Sequence, residues 1–196
     1  MRRTAGIVLA GGRSSRMGTP KAGLEWHGST LLRHVAGVVG SAAGQVIVVR
    51  AAGQEMPTLP DGVRVVEDAR EGRGPLEGLR AGLRGLEPAV EAAYVAAVDL
   101  PFLTPEAVRR ALAALAEEVD AAVQRARGRV HPLAAAYRAT VLPVVDGLLA
   151  EGRARMGDLL ERLDVAWLEE EPDALRNLNT PADYARARAL PRVSAG

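Results

Sequence analysis

The sequence predicts an α/β protein in which helices cover both faces of a mostly parallel sheet. Three observations predict it. Short apolar runs of strand length alternate along the chain with segments of helical spacing. Several of these runs, at 6–9, 45–49 and 94–98, are apolar along almost their whole length, as strands buried on both faces are. Turn and helix-start signals fall at the joins: glycines after Leu9, Asp99-Leu100-Pro101 after Val98, and Thr104-Pro105. The class is thus three-layer α/β/α, with a Rossmann-like sheet whose ligands bind beyond the carboxyl ends of the strands.

Element by element, strands are expected at 6–9, 45–49, 63–66, 94–98, 121–124, 133–137 and 165–168. Helices are expected at 31–39, at 75–86 with Pro75 in the first turn, and at 105–118 with Thr104 as cap and Pro105 first. Further helices are expected at 141–150, at 156–163, and from Thr180-Pro181 through Arg188. Residues 1–190 read as a single domain, and 191–196 as a tail expected to fray.

Composition narrows the function classes. A net charge of +1 over 196 residues gives no bulk attraction to nucleic acid or membrane. No run is long and apolar enough to predict a membrane span. Met1-Arg2-Arg3-Thr4 leads straight into a strand-like run without the features of a signal peptide, so a cytoplasmic protein is expected. There is no cysteine, hence no disulfide and no thiolate metal site. Lys21 is the only lysine, and Asn177 and Asn179 are the only asparagines.

Leu9-Ala10-Gly11-Gly12-Arg13-Ser14-Ser15-Arg16-Met17-Gly18-Thr19-Pro20-Lys21 follows the first strand. Glycines let backbone N–H groups turn toward an anion, and Arg13, Arg16 and Lys21 add positive charge. By charge and glycine alone, a phosphate loop and a plain connection fit equally. The Walker A and Gly-x-Gly-x-x-Gly spacings are both absent. Asp99 stands at the expected end of a buried strand, where a carboxylate faces the ligand crevice and suits a hard cation, or caps the following turn. Asp68 precedes a glycine-rich stretch leading to Gly74-Pro75-Leu76-Glu77-Gly78; taken alone it fits an ordinary loop aspartate.

The first loop resembles the L-A-[AG]-G-x-x-x-R-M-G…K motif of the nucleotidyltransferases. Its LAGG form resembles the guanylyl-transferring branch, the MobA-like molybdenum cofactor guanylyltransferases. Asp99-Leu100-Pro101-Phe102 resembles that family's D-x-P-[FL] element, and the Asp68 segment its D…GPL-x-G element. His131-Pro132-Leu133, Gly152-Arg153-Ala154-Arg155 and Asn177-Leu178-Asn179-Thr180-Pro181 resemble its distal elements. The resemblance runs from Leu9 to Asp183 in the family's order. One departure is that 48–52 offers no asparagine where the family often has one.

The resemblance implies GMP transfer from GTP to the terminal phosphate of molybdopterin or the molybdenum cofactor, with release of pyrophosphate. It implies Mg2+ held by Asp99, with Arg16 and Lys21 countering charge on the departing pyrophosphate. Leu9, Ala10, Gly11, Gly12, Lys21, Asp68, Gly74, Pro75 and Asp99 would bind GTP, and the N-terminal half would be the nucleotide half. His131, Arg153, Arg155, Asn177 and Asn179 would face the acceptor, the asparagines serving it more than GTP. On residue type alone His131 fits a structural role equally, the two arginines fit a solvated surface, and Thr180 fits a helix cap. Transient contacts with molybdenum cofactor biosynthesis proteins or molybdoenzymes are implied, and none with nucleic acid or membrane. A cytidylyl-transferring relative, a sugar-phosphate nucleotidyltransferase and a non-catalytic nucleotide-binding regulator remain alternatives.

Overall fold

The structure, a computed structural model, describes residues 2–11, 20–68 and 74–190. A seven-stranded sheet runs in the order β5-β4-β1-β6-β8-β7-β9. Its strands are β1 (Thr4–Leu9), β4 (Gln45–Ala51), β5 (Arg64–Asp68), β6 (Ala92–Ala97), β7 (Ala121–Ala126), β8 (Arg129–Arg138) and β9 (Val165–Glu169). β5, β4, β1 and β6 pair in parallel, and β9 pairs in parallel with β7. β8 runs antiparallel to both β6 and β7. A small antiparallel hairpin, β2 (Glu25–Trp26) and β3 (Ser29–Thr30), follows the first loop. The sequence reading anticipated the large sheet but not this hairpin.

Helices cover both faces, as expected. α1 (Leu31–Ala43) and α3 (Pro105–Ala113) share one buried cluster with Val8, Val48, Tyr94 and Ala136. α2 (Pro75–Arg84), α4 (Leu142–Ala150) and α5 (Met156–Leu160) cover the other face, over Ile7, Ile47, Val95 and Tyr137. The last helix, α6 (Pro181–Arg188), starts from a capping box: the Asp183 N–H donates to Thr180 Oγ1 at 3.1 Å, and the Thr180 N–H donates to Asp183 Oδ2 at 2.9 Å. Among the described residues no helix is long and apolar enough to cross a membrane. The expected tail, 191–196, lies outside the described residues.

Two boundaries differ from the sequence expectation for tertiary reasons. The helix expected over 105–118 ends at Ala113. Beyond it, the Arg138 guanidinium from β8 donates to the carbonyls of Ala116 and Val119, at 2.5 and 2.8 Å. A long-range side chain thus takes carbonyls that a continuing helix would leave to water or to later amides. β8 begins at Arg129, four residues earlier than expected, because it forms a hairpin with β7 through Arg127 and Gly128 at φ 51° and 73°. Pro132 is accommodated by a register shift: Val123 pairs with Ala135, but Gln124 already pairs with His131.

The nucleotide half depends on close contact between α2 and β1. A Cβ at Gly82 would stand 2.5 Å from Ile7 Cγ2, so glycine sets how closely the helix approaches the strand. Gly82→Ala should therefore destabilise the protein by about 1–3 kcal/mol through overpacking. Helix propensity alone predicts a gain of about 1 kcal/mol. Chemical denaturation of the two proteins decides the sign.

Candidate active site

The carboxyl edge of the sheet sets four residues in one row. Val66, Val49, Leu9 and Ala97 are register partners on β5, β4, β1 and β6. Two residues further along each chain stand Asp68, Ala51, Gly11 and Asp99. Adjacent strands lie about 4.8 Å apart, so the two aspartates are roughly 14 Å apart across three spacings. The register continues past β1, where the Ala10 and Gly11 amides both donate to the Val49 carbonyl, at 2.8 and 3.2 Å. Those two amides hold the start of the loop to β4. Gly12 and Arg16, assigned to the phosphate loop from sequence, lie outside the described residues.

Asp99 lies in the turn after β6, and its side chain is 15% exposed. Lys21 Nζ donates to Asp99 Oδ2 at 2.7 Å and to Asn179 Oδ1 at 3.2 Å. Asn177 Nδ2 donates to the other carboxylate oxygen, Oδ1, at 2.9 Å, and the Leu178 N–H donates to the Asp99 backbone carbonyl at 3.0 Å. The Asp99 carboxylate is bonded by these distant side chains. The chain's only lysine and one of its two asparagines thus meet one carboxylate, and the other asparagine accepts from that lysine.

Several elements fix this cluster. Lys21 opens a short 3-10 turn, Lys21–Gly23, that leads into β2. Tyr184 Oη on α6 donates to the Glu25 carbonyl at 2.5 Å, and Arg188 pairs with the Glu25 carboxylate at 2.7 Å, so the last helix braces the hairpin beside Lys21. On the Asp99 side, His34 Nε2 lies 2.8 Å from the Pro101 carbonyl. The Phe102 ring packs edge-on against Trp26 with centroids 5.8 Å apart. The Arg176 guanidinium lies over the other partner of this stack, 5.6 Å from the Phe102 centroid.

His131, Asn177 and Asn179 line one cleft of about 430 Å³, bounded by the β7–β8 hairpin and the segment before α6. Burial first, and then the Arg129 charge, hold the His131 imidazole below its usual range; Asp99 acts in the opposite direction. Arg153 and Arg155 lie elsewhere. A Cβ at Gly74, the cap of α2, would come within 3.1 Å of the Ala154 carbonyl, which places their loop beside the start of α2. The Arg153 guanidinium is bonded to Asp158 at 2.7 Å and to Glu161 at 3.3 Å. The structure therefore brings three of the five expected acceptor residues together and sets the two arginines on the α2 side.

Gln54 is a site-forming residue that the sequence reading missed. It accepts from the Ala51 amide at 3.0 Å and donates to the Ala10 carbonyl at 3.1 Å, tying the first loop to the end of β4. This link lies just beyond 48–52, where the expected asparagine is missing. An amide side chain soon after a strand end was the available signal.

Residues 6–167 match the family of MobA-like NTP transferase domains. A probable molybdenum cofactor guanylyltransferase of Mycobacterium tuberculosis (strain ATCC 25618 / H37Rv) is 41% identical over 185 residues, covering 91% of this chain and 90% of that one. The solved molybdopterin-guanine dinucleotide biosynthesis protein A from Archaeoglobus fulgidus shares the fold, with a TM-score of 0.74 at 23% identity over 94% of this chain and 96% of that one. So does the Mycobacterium tuberculosis H37Rv protein Rv0371C, solved in complex with manganese, with a TM-score of 0.68 at 24% identity over 93% and 96%. With the row of strand-end residues and the convergence on Asp99, these likenesses agree: the chain belongs to the family of MobA-like NTP transferases.

Proposed function

We propose that this enzyme transfers GMP from GTP to the terminal phosphate of molybdopterin, or of its molybdenum-bearing form, giving the guanine dinucleotide cofactor and pyrophosphate. The observation that carries the reading is Asp99, held at the carboxyl edge by Lys21 and Asn177, in a chain similar along most of its length to guanylyltransferases. An oxygen of the acceptor phosphate attacks the α-phosphorus of GTP. The bond from that phosphorus to the bridging oxygen breaks, and its electron pair leaves on pyrophosphate. The nucleophile is already an anion, so the protein need not supply a strong base. Its work is positioning and charge compensation.

Asp99 suits magnesium as a hard oxygen donor that already has a cation, the Lys21 ammonium, against it. Among the described residues no group of three or more His, Cys, Asp or Glu could form a cage around a metal. Magnesium characteristically binds one or two carboxylates and completes its shell with water and substrate phosphate, which one strand-end aspartate satisfies. Bound there, it would supply Lewis-acid neutralisation of phosphate oxygens. Asn177 holds the carboxylate in orientation, and Lys21 with Arg16 meets the charge that develops on pyrophosphate.

Asp68, roughly 14 Å along the edge by strand spacing, is too far from Asp99 to share its metal. We assign it to the base or ribose of GTP. Leu9, Ala10 and Gly11 shape the floor between the two aspartates, with Gly12, Gly74 and Pro75 around the nucleotide. His131, Asn177 and Asn179 face the acceptor, and Asn177 and Asn179 also serve the metal and phosphate end through Asp99 and Lys21. Arg153 and Arg155 approach from the α2 side, Arg153 by ordering its loop through Asp158. The same reading locates the reaction in the cytoplasm, where GTP is supplied, with transient contacts delivering the product to later proteins of the pathway.

Pyrophosphate release should be fast only when GTP, magnesium and molybdopterin are all present. Release with CTP at the GTP rate would replace guanylyl by cytidylyl transfer, and release with a sugar phosphate as acceptor would remove the pterin. In the same assay Lys21→Arg should be slower on the order of a hundredfold, since a compact ammonium against Asp99 is replaced by a planar fork. Wild-type turnover in that variant would remove Lys21 from the catalytic group.

A further inference from the structure

Arginine supplies nearly all the basic charge of this chain, so its presence at a surface is not informative by itself. Its pairing is. Through the distal half, Arg110 pairs with Glu170, Arg125 with Glu169, Arg153 with Asp158 and Arg162 with Glu151. Arg127 and Arg129 have no acidic partner among the described residues, a lack they share with Arg155 and with Arg138, which is spent on backbone carbonyls. Both line the cleft that contains His131, Asn177 and Asn179.

The backbone at this hairpin adds a second observation. Arg127 has φ 51°, and among the described residues only it and His27 are non-glycine residues at positive φ. Glycine, asparagine and aspartate occupy such turn positions with less strain, yet here the position carries an arginine. A strained position that keeps a long cationic side chain points to a need for that side chain. The segment before α6 brings a compensated pair to the same cleft: Asp173 and Arg176 both line it and bond each other, and Arg176 also stacks on Phe102. After burial, the larger cause, the Arg129 charge also holds the His131 imidazole below its usual range, which places Arg129 near His131 in the cleft.

We infer that Arg127 and Arg129 form a clamp for the phosphate of the acceptor. The inference rests on the guanylyl-transfer reading and names the residues that select its second substrate. Attack by a phosphate dianion on a nucleoside triphosphate brings like charges together, and the cleft supplies compensation on the acceptor's side, away from Lys21. Guanidinium groups suit this because they bind phosphate oxygens through paired N–H donors. Ala126, Pro172 and Leu175 also line the cleft. The Asn177 and Asn179 side chains, which bond Asp99 and Lys21, join this cleft to the catalytic carboxylate.

The test is the double variant Arg127→Asn, Arg129→Gln, in which asparagine keeps the turn at position 127. With anaerobically prepared molybdopterin, the acceptor KM should rise by about tenfold or more while the KM for GTP and kcat change little, the pattern of a lost binding interaction. Raising salt should weaken acceptor binding to the wild type more than to the variant. An unchanged acceptor KM, or an equal rise in both KM values, would overturn the clamp while leaving guanylyl transfer in place. If the wild type itself transfers no GMP to molybdopterin, the functional reading falls and the clamp falls with it.

Discussion

The contact on which the site depends is the one between Lys21 and Asp99. It joins the exit of the first loop to the end of the fourth parallel strand, and Asn177 and Asn179 complete it from a segment 158 residues beyond Lys21. None of these groups could hold its position alone. A lysine at a loop exit is flexible, and a carboxylate in a turn can rotate. Here the carboxylate has a partner on each oxygen, and the ammonium has two acceptors. The supports lead outward in both directions: α6 braces the β2–β3 hairpin beside Lys21, while His34, Trp26 and Arg176 pack around the Pro101-Phe102 turn.

Sheet geometry explains how one row of residues can serve a long substrate. Asp68 and Asp99 stand at the same level on β5 and β6 strand ends, separated by β4 and β1. On the proposed function, a nucleotide lying along that edge would have its base end and its phosphate end addressed by different strands. The antiparallel β8 extends the sheet on the Asp99 side, beyond β6. Its hairpin with β7, and the register shift at Gln124, bring His131 and the two hairpin arginines to the cleft beside the Asp99 partners. On the proposed function, parallel strands would address the donor and the antiparallel insertion the acceptor.

The parallel core was legible because buried strands write themselves as apolar runs, and caps such as Thr104 and Thr180 mark where helices begin. Lys21, Asn177 and Asn179 stood out through scarcity, and the structure joins Lys21 and Asn177 to Asp99 and Asn179 to Lys21. That Asn177 bonds the Asp99 carboxylate and Asn179 the Lys21 ammonium depends on pairings across more than seventy residues that no local pattern encodes. The same holds for the early end of α3, where a β8 arginine takes the carbonyls, and for Gln54, whose two bonds join separate loops. The β7–β8 turn escaped notice because it places arginine where turn chemistry favours asparagine or glycine.

Metal binding at Asp99 tests the account most directly, and manganese gives it a spectroscopic signal independent of turnover. Electron paramagnetic resonance titration of Mn2+ in the presence of GTP should show binding to the wild type that is weaker by about tenfold or more in Asp99→Asn, at equal thermal stability. Equal manganese affinity in the two proteins would contradict the assignment of Asp99 as the metal-holding group at the centre of the site.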